Sequence, residues 1–207
     1  MQRNLLDLFR DLEKFVEANF PDDLQWSRAA LLRELKDVTM DEFYAEYVYA
    51  VYVAGFKVEV IKGKWRRLGE AYRGFKVDEV VANADAVRGE ALKVIANKRK
   101  VDAVIRGAKF LKTVEWERFK KNIAENVDTL RRLPYIGDVL KYQLARNLGF
   151  DTIKPDVHLV RLARLYGTDP FTLCKQVSER TGLPMHVVDT IFWRASEQGR
   201  LRFFFLK

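Results

Sequence analysis

The sequence predicts an all-α protein, on three observations. Apolar residues recur at three- and four-residue spacing in segment after segment, Pro and Gly punctuate between those segments, and the first half holds no convincing alternating run. With 207 residues, 48% of them hydrophobic, and with fourteen Phe, eight Tyr and four Trp, the chain has the material for a substantial core.

Leu5, Leu8, Phe9, Leu12, Phe15 and Val16 give one buried face to a helix over 4–19, which Pro21 is expected to stop. A second helix is expected over 26–35. A third, over 39–56, is opened by Thr39 with Asp41 and Glu42 in its first turn. Its Phe43, Tyr44, Tyr47, Tyr49, Tyr52 and Phe56 lie too far around the axis to form one stripe, so core packing is the plainer reading. Helices are then predicted over 60–72, 77–83 and 90–111, with Gly74 and Gly107 as punctuation. Phe119, Ile123, Val127 and Leu130 predict a helix over 116–132, which meets Leu133-Pro134-Tyr135-Ile136-Gly137-Asp138, a tight turn. Helical spacing resumes at Val139, Leu140, Leu144 and Leu148 and closes at Gly149. An extended connector follows, since Pro155 disfavours helix at Lys154, and Asp156 is placed to cap a helix over 157–166. Helices over 170–181 and 184–197 precede an apolar tail of Leu201, Phe203, Phe204, Phe205 and Leu206.

The net charge of +8, from 37 Lys plus Arg against 29 Asp plus Glu, favours an anionic partner, either nucleic acid or an acidic membrane surface. No segment has the strongly cationic amphipathic face that membrane binding needs, and no apolar run approaches the roughly 20 residues of a membrane span. The first residues read as an amphipathic helix and not as a signal peptide, and the lone Cys174 suits a reducing compartment. A soluble, cytoplasmic or nucleoid-associated protein is the expectation. His158 and His186 lack metal-ligand spacing, so no metal site is expected.

The stretch LPYIGDVLKYQLARNLGFDTIKPDVHLVRLARLYG, from Leu133 onward, resembles the helix-hairpin-helix and Gly/Pro-Asp signature of the HhH-GPD superfamily of DNA glycosylases. The matching pieces are Leu133-Pro134, Ile136-Gly137, the helix ending at Gly149, Pro155-Asp156, and His158 and Arg161 beyond the acid. The resemblance implies a two-module all-α fold with a cleft between the modules, one helical barrel-like and spanning 40–149, the other combining 1–39 with 150–207. It also implies a partner, double-stranded DNA containing a damaged or mismatched base, bound by a monomer.

In that reading Tyr135, Gly137, Val139, Leu140 and Lys141 meet DNA, with the backbone amides of Gly137, Val139 and Leu140 facing phosphate at a helix N-terminus. Such contacts hold a duplex without reading its sequence. Tyr135 stands where the family usually has Gly, and a turn that avoids positive φ is expected to accommodate it. Asp156 is the expected catalytic residue, a carboxylate that stabilises positive charge on the deoxyribose and orients or deprotonates a water. Without the preceding hairpin, an Asp before an apolar helical run reads as a plain N-cap.

Bifunctional relatives carry a nucleophilic lysine two residues beyond the hairpin's last Gly. Here that position is Val139, which implies a monofunctional enzyme that leaves an intact abasic site. Lys141 lies about 200° further around the helix axis and is a poor substitute. An iron–sulfur cluster is excluded for want of cysteines, no other cofactor is expected, and the resemblance leaves room for a monovalent cation at the hairpin.

The segments Ala145-Arg146-Asn147-Leu148-Gly149-Phe150 and Val188-Asp189-Thr190-Ile191-Phe192-Trp193, with the terminal Lys207, resemble an archaeal 8-oxoguanine glycosylase branch whose C-terminal lysine helps recognise the base. Those enzymes are lyases, against which Val139 stands. Tyr52, Phe56, Trp193, Phe203–Phe205 and Lys207 are candidates to line a base pocket, with plain core packing as the alternative for the aromatic residues. A lyase using another lysine and a non-catalytic DNA-binding module remain open.

Overall fold

The computed structural model describes residues 3–201. Among them are twelve α-helices and three short 3-10 turns, with no strand. They fall into two compact units, one of Glu34–Leu144, the other joining the described residues of Met1–Arg33 and of Ala145–Lys207. The divisions thus fall after residues 33 and 144, where the sequence reading had put them after 39 and 149. Gly149 shows why the segment 145–149 goes with the N-terminal helices. Its φ is +96°, and a Cβ there would stand 2.0 Å from the Arg33 carbonyl oxygen, an approach that only glycine permits. Arg33 in turn donates through Nη1 to the Asn147 carbonyl at 3.2 Å.

In the two-part unit, α1 (Leu5–Asn19) is capped by Asn4, whose side chain accepts from the amides of Leu6 and Asp7. Pro21 occupies the first turn of α2 (Pro21–Ala30), where its missing N–H costs nothing. This helix begins and ends about five residues earlier than the expected 26–35. The central element is α12 (Met185–Glu197), in which all but three residues are buried. It packs against α1, α2, α10 (Val157–Leu165) and α11 (Pro170–Thr181). Phe9 meets Phe192 edge-to-face with centroids 5.3 Å apart, and Leu12, Val16, Leu159, Leu162 and Val177 complete the same core.

In the other unit, α3 (Met40–Val53) starts on a reciprocal cap: Thr39 Oγ1 accepts from Glu42 N, and the Glu42 carboxylate accepts from Thr39 N. Phe43, Tyr44, Tyr47 and Tyr52 of this helix are fully buried, so its aromatic character is packing, each ring contributing about 1.5–3 kcal/mol. The remaining helices are α4 (Val58–Ala71), α5 (Val77–Ala82), α6 (Ala84–Val94), α7 (Lys98–Leu111) and α8 (Trp116–Glu125).

The helix expected over 90–111 is two helices. The break at Ile95–Asn97 is made by Asn97, whose side chain accepts from Lys100 N and caps α7. Gly107 is no punctuation: it sits inside α7, where a Cβ would stand 2.2 Å from the Tyr47 ring. The helix expected over 116–132 likewise ends at Glu125, and Asn126 starts a 3-10 turn over Val127–Arg132. No helix of the described residues is long and apolar enough to cross a membrane.

Candidate active site

Between the 3-10 turn and α9 (Leu140–Asn147) the chain makes the predicted hairpin. Leu133 and Ile136 are buried and anchor it, with Ile136 N donating to Leu133 O at 3.2 Å. Tyr47 Oη donates to Pro134 O at 2.8 Å and also contacts Ala103 O, tying the turn to α7. Tyr135 adopts φ +74°, correcting the expectation of a turn without positive φ. Tyrosine accepts the strain of about 1–2 kcal/mol that glycine would avoid. Part of it is offset by cations on the ring: Lys100 Nζ lies 5.1 Å from its centroid and the Arg99 guanidinium 5.3 Å.

Beyond Ile136 the backbone turns outward. The amides of Gly137, Asp138, Val139 and Leu140 find no acceptor among the described residues, and the side chains of 137–139 are exposed. A Cβ on Gly137 would meet open space, so another molecule can approach its backbone closely. Lys141 belongs to a different environment. Its ammonium is buried and bonded to Asp128, with Asp138 at 3.9 Å, so it does not present its charge to an outside phosphate as expected. The carbonyls of Tyr135 and Ile136 accept no hydrogen bond among the described residues.

The expected acid sits in the two-part unit. Asp156 is half-buried, with extended backbone at φ −80° and ψ 178°, and is the N-cap of α10. Oδ1 accepts from His158 N at 2.9 Å and from Leu159 N at 3.2 Å. Oδ2 accepts from no described residue. One oxygen therefore fixes the carboxylate at the positive end of a helix and the other is left for chemistry.

The connector leading to Asp156 is pinned at three points. Asp151 Oδ1 accepts from His186 N at 2.8 Å, and Asp189 Oδ2 accepts from Lys154 N at 2.8 Å. Asp156 N donates to Lys154 O at 2.7 Å, closing a three-residue turn over Pro155. Asp189 is itself buried and paired with Arg146 Nη1 at 2.7 Å, while Arg146 Nη2 donates to Thr190 Oγ1. Burial pushes the Asp189 carboxyl up, and the Arg146 charge works against that push. His158 Nδ1 and Ser196 Oγ share a hydrogen bond of 2.9 Å.

Sequence reasoning passed over Lys154, although a lysine two residues before the expected acid, across a proline, was a readable signal. Burial pulls its ammonium below the ordinary lysine range; Asp156 and Asp189 oppose this and Arg146 reinforces it.

The base-pocket candidates fare unequally. Tyr52 is fully buried with Oη 2.8 Å from Tyr72 Oη, which makes it core and corrects its assignment to a pocket wall. Phe56 is exposed, and Lys100 Nζ lies 5.2 Å from its ring, so Phe56 and Tyr135 flank one ammonium. That ammonium also donates to the carbonyls of Val51, Tyr52 and Ala54 at the end of α3. Trp193, in the other unit, is half-buried beneath the Arg194 guanidinium at 4.6 Å. Phe203–Phe205 and Lys207 lie outside the described residues.

No family model matches the chain, and no curated protein matches it. Among solved structures it is similar to the crystal structure of the 8-oxoguanine DNA glycosylase of Thermotoga maritima. The TM-score is 0.65 at 18% identity, over 92% of this chain and 96% of that one. The chain has the all-α fold of that structure.

Proposed function

We propose that the chain is a DNA glycosylase that extrudes a damaged or mismatched base from duplex DNA and cleaves its N-glycosidic bond, acting inside the cell as a monomer. The observation that carries this reading is the split duty of Asp156, one oxygen held by two amides and the other unengaged. Departure of the base leaves positive charge on the sugar, and a carboxylate fixed beforehand stabilises that charge without having to reorganise. The likeness of fold to an 8-oxoguanine glycosylase supports the reading and puts 8-oxoguanine first among the bases to test.

The unpaired amides of Gly137, Val139 and Leu140 supply the grip on phosphate. Water is the nucleophile for base release, because Val139 has no amine and that of Lys141 is held by Asp128. A carboxylate and a water suffice for this step.

The test uses duplexes carrying 8-oxoguanine, uracil, hypoxanthine, alkylated purines or mismatches, followed by alkali cleavage. Asp156→Asn is expected to lower base release about a hundredfold to a thousandfold, the cost of one electrostatic stabiliser, with DNA affinity kept or raised. Parental excision by that variant would falsify the assignment of the acid. If no duplex in the panel is cut and DNA is still bound, the chain is a DNA-binding module and no enzyme.

A further inference from the structure

We propose that Lys100 is the positioning residue of the DNA grip: its ammonium, lodged at the C-terminal end of α3, holds the Tyr135 ring and so keeps the hairpin in the conformation that aims its free amides outward. The proposal rests on the reading of the hairpin as the phosphate contact and adds the residue that shapes it.

All the parts belong to one unit of the structure. Lys100, in the first turn of α7, is 2% exposed, and its Nζ donates to the carbonyls of Val51 and Ala54 at 2.5 Å and of Tyr52 at 3.3 Å. The end of a helix leaves such acceptors unfilled, and its dipole favours a cation there. The same ammonium lies 5.1 Å from the centroid of the Tyr135 ring and 5.2 Å from that of Phe56. No carboxylate among the described residues pairs with it, so carbonyl dipoles and two rings hold the charge.

The other hairpin residues are fixed by different means. Leu133 and Ile136 are buried, and Pro134 O accepts from Tyr47 Oη. Tyr135 takes part in no hydrogen bond among the described residues, yet it stands at φ +74°, where a side chain is strained. What holds it is its ring. The Arg99 guanidinium, 5.3 Å from that ring, belongs to an exposed residue and is screened by water, whereas the Lys100 ammonium is sheltered, and a cation on a ring is worth more when desolvated. A ring released from both cations lets the backbone relax to negative φ, which swings the amides of 137–140 to a new direction.

A lysine that only caps α3 has no use for Tyr135. The two roles therefore separate by whether the effect of losing Lys100 requires the tyrosine, which is a coupling that a double-mutant cycle measures.

The probe is a duplex with one abasic site prepared in advance, titrated with the full chain carrying Lys100→Gln, Tyr135→Gly or both. Lys100→Gln removes the charge and keeps two N–H donors for the α3 carbonyls; Lys100→Met removes both, and circular dichroism checks that each variant is folded. In the parental background Lys100→Gln is expected to weaken binding about tenfold, the loss of one sheltered contact between cation and ring. In the Tyr135→Gly background, whatever that substitution does to affinity by itself, adding Lys100→Gln should change it by less than about twofold, because glycine needs no ring to stay at positive φ. Tyr135→Leu, which keeps a Cβ at positive φ and removes the ring face, needs no change at Lys100 and should weaken binding by a similar factor. Equal losses from Lys100→Gln in the two backgrounds reduce Lys100 to a cap of α3 and overturn the proposal. Parental affinity in Lys100→Gln or in Tyr135→Leu overturns it too, as does a larger loss from Arg99→Met than from Lys100→Gln. A parental chain that binds no duplex removes the hairpin reading and this proposal together, while the lesion panel with Asp156→Asn judges the acid separately.

Discussion

Replacing Gly107 by Ala tests whether the hairpin is held from inside its own unit. In an exposed helix interior this change stabilises by about 1 kcal/mol, because alanine restricts the unfolded chain. Here the new methyl would lie 2.2 Å from the nearest carbon of the Tyr47 ring, about 1.3 Å short of an ordinary carbon–carbon contact of about 3.5 Å. The ring must move by about that distance, and its hydroxyl moves with it. The single hydroxyl proton, shared between Pro134 O at 2.8 Å and Ala103 O at 3.0 Å, then loses its acceptors.

Overpacking costs about 1–3 kcal/mol and the shared hydrogen bond about 1 kcal/mol. After the alanine gain, the net is a loss of about 1–3 kcal/mol, a sizeable share of the stability of an ordinary domain. Denaturant unfolding followed by circular dichroism measures the loss, and Tyr47→Phe, which removes only the hydroxyl, separates the bonds from the overpacking. Because Pro134 precedes the unpaired amides, affinity for abasic duplex should fall in both variants. A Gly107→Ala protein more stable than the parent, with unchanged DNA affinity, would refute the reasoning.

Two further outcomes follow from the same structure. Gly149→Ala forces a side chain into positive φ and against the Arg33 carbonyl, and should cost about 3 kcal/mol or more, whereas Gly63→Ala, with open space around it, should stabilise by up to about 1 kcal/mol. Equal unfolding midpoints for the two variants would contradict that close approach. Burial pushes the Tyr52 hydroxyl up to about 12, the bond to Tyr72 pulling slightly the other way, while an unfolded tyrosine titrates near 10. The folded chain thus holds the proton longer, and the stability is complete below about pH 10 and lost as pH climbs towards 12. From Tyr52 alone the loss is about 3 kcal/mol. Tyrosinate absorbance should rise together with loss of helical signal, and ionisation near pH 10 with helicity intact would contradict the burial.

What the sequence showed most clearly was chemistry that acts within a few residues. Thr39 with Glu42 and Asp156 before Val157 each signal a cap, because a short acceptor side chain just before an apolar helical run has a local job. Errors arose where a local signal was outweighed from a distance. Gly107 reads as a stop, yet it is dictated by Tyr47, sixty positions earlier in the chain. Tyr135 reads as incompatible with positive φ, yet cations from α7 hold its ring there. Asn97 and Asn126 were legible as caps and were passed over because the apolar spacing runs on through them. Within the candidate site, Asp156 and the hairpin could be read directly. The burial of Lys141 depends on Asp128, whose proximity no spacing rule reveals.

The two-part unit has a consequence for how the chain comes into being. During synthesis the whole of Glu34–Leu144 is polymerised before the second part of the outer unit, and domains tend to fold as soon as they are complete. Helix α1 has to wait for α12, far later in the chain, before its apolar face is covered. Closure across so many residues is slow compared with the local contacts of the inner unit. The surroundings of Asp156 therefore mature after the core of the inner unit.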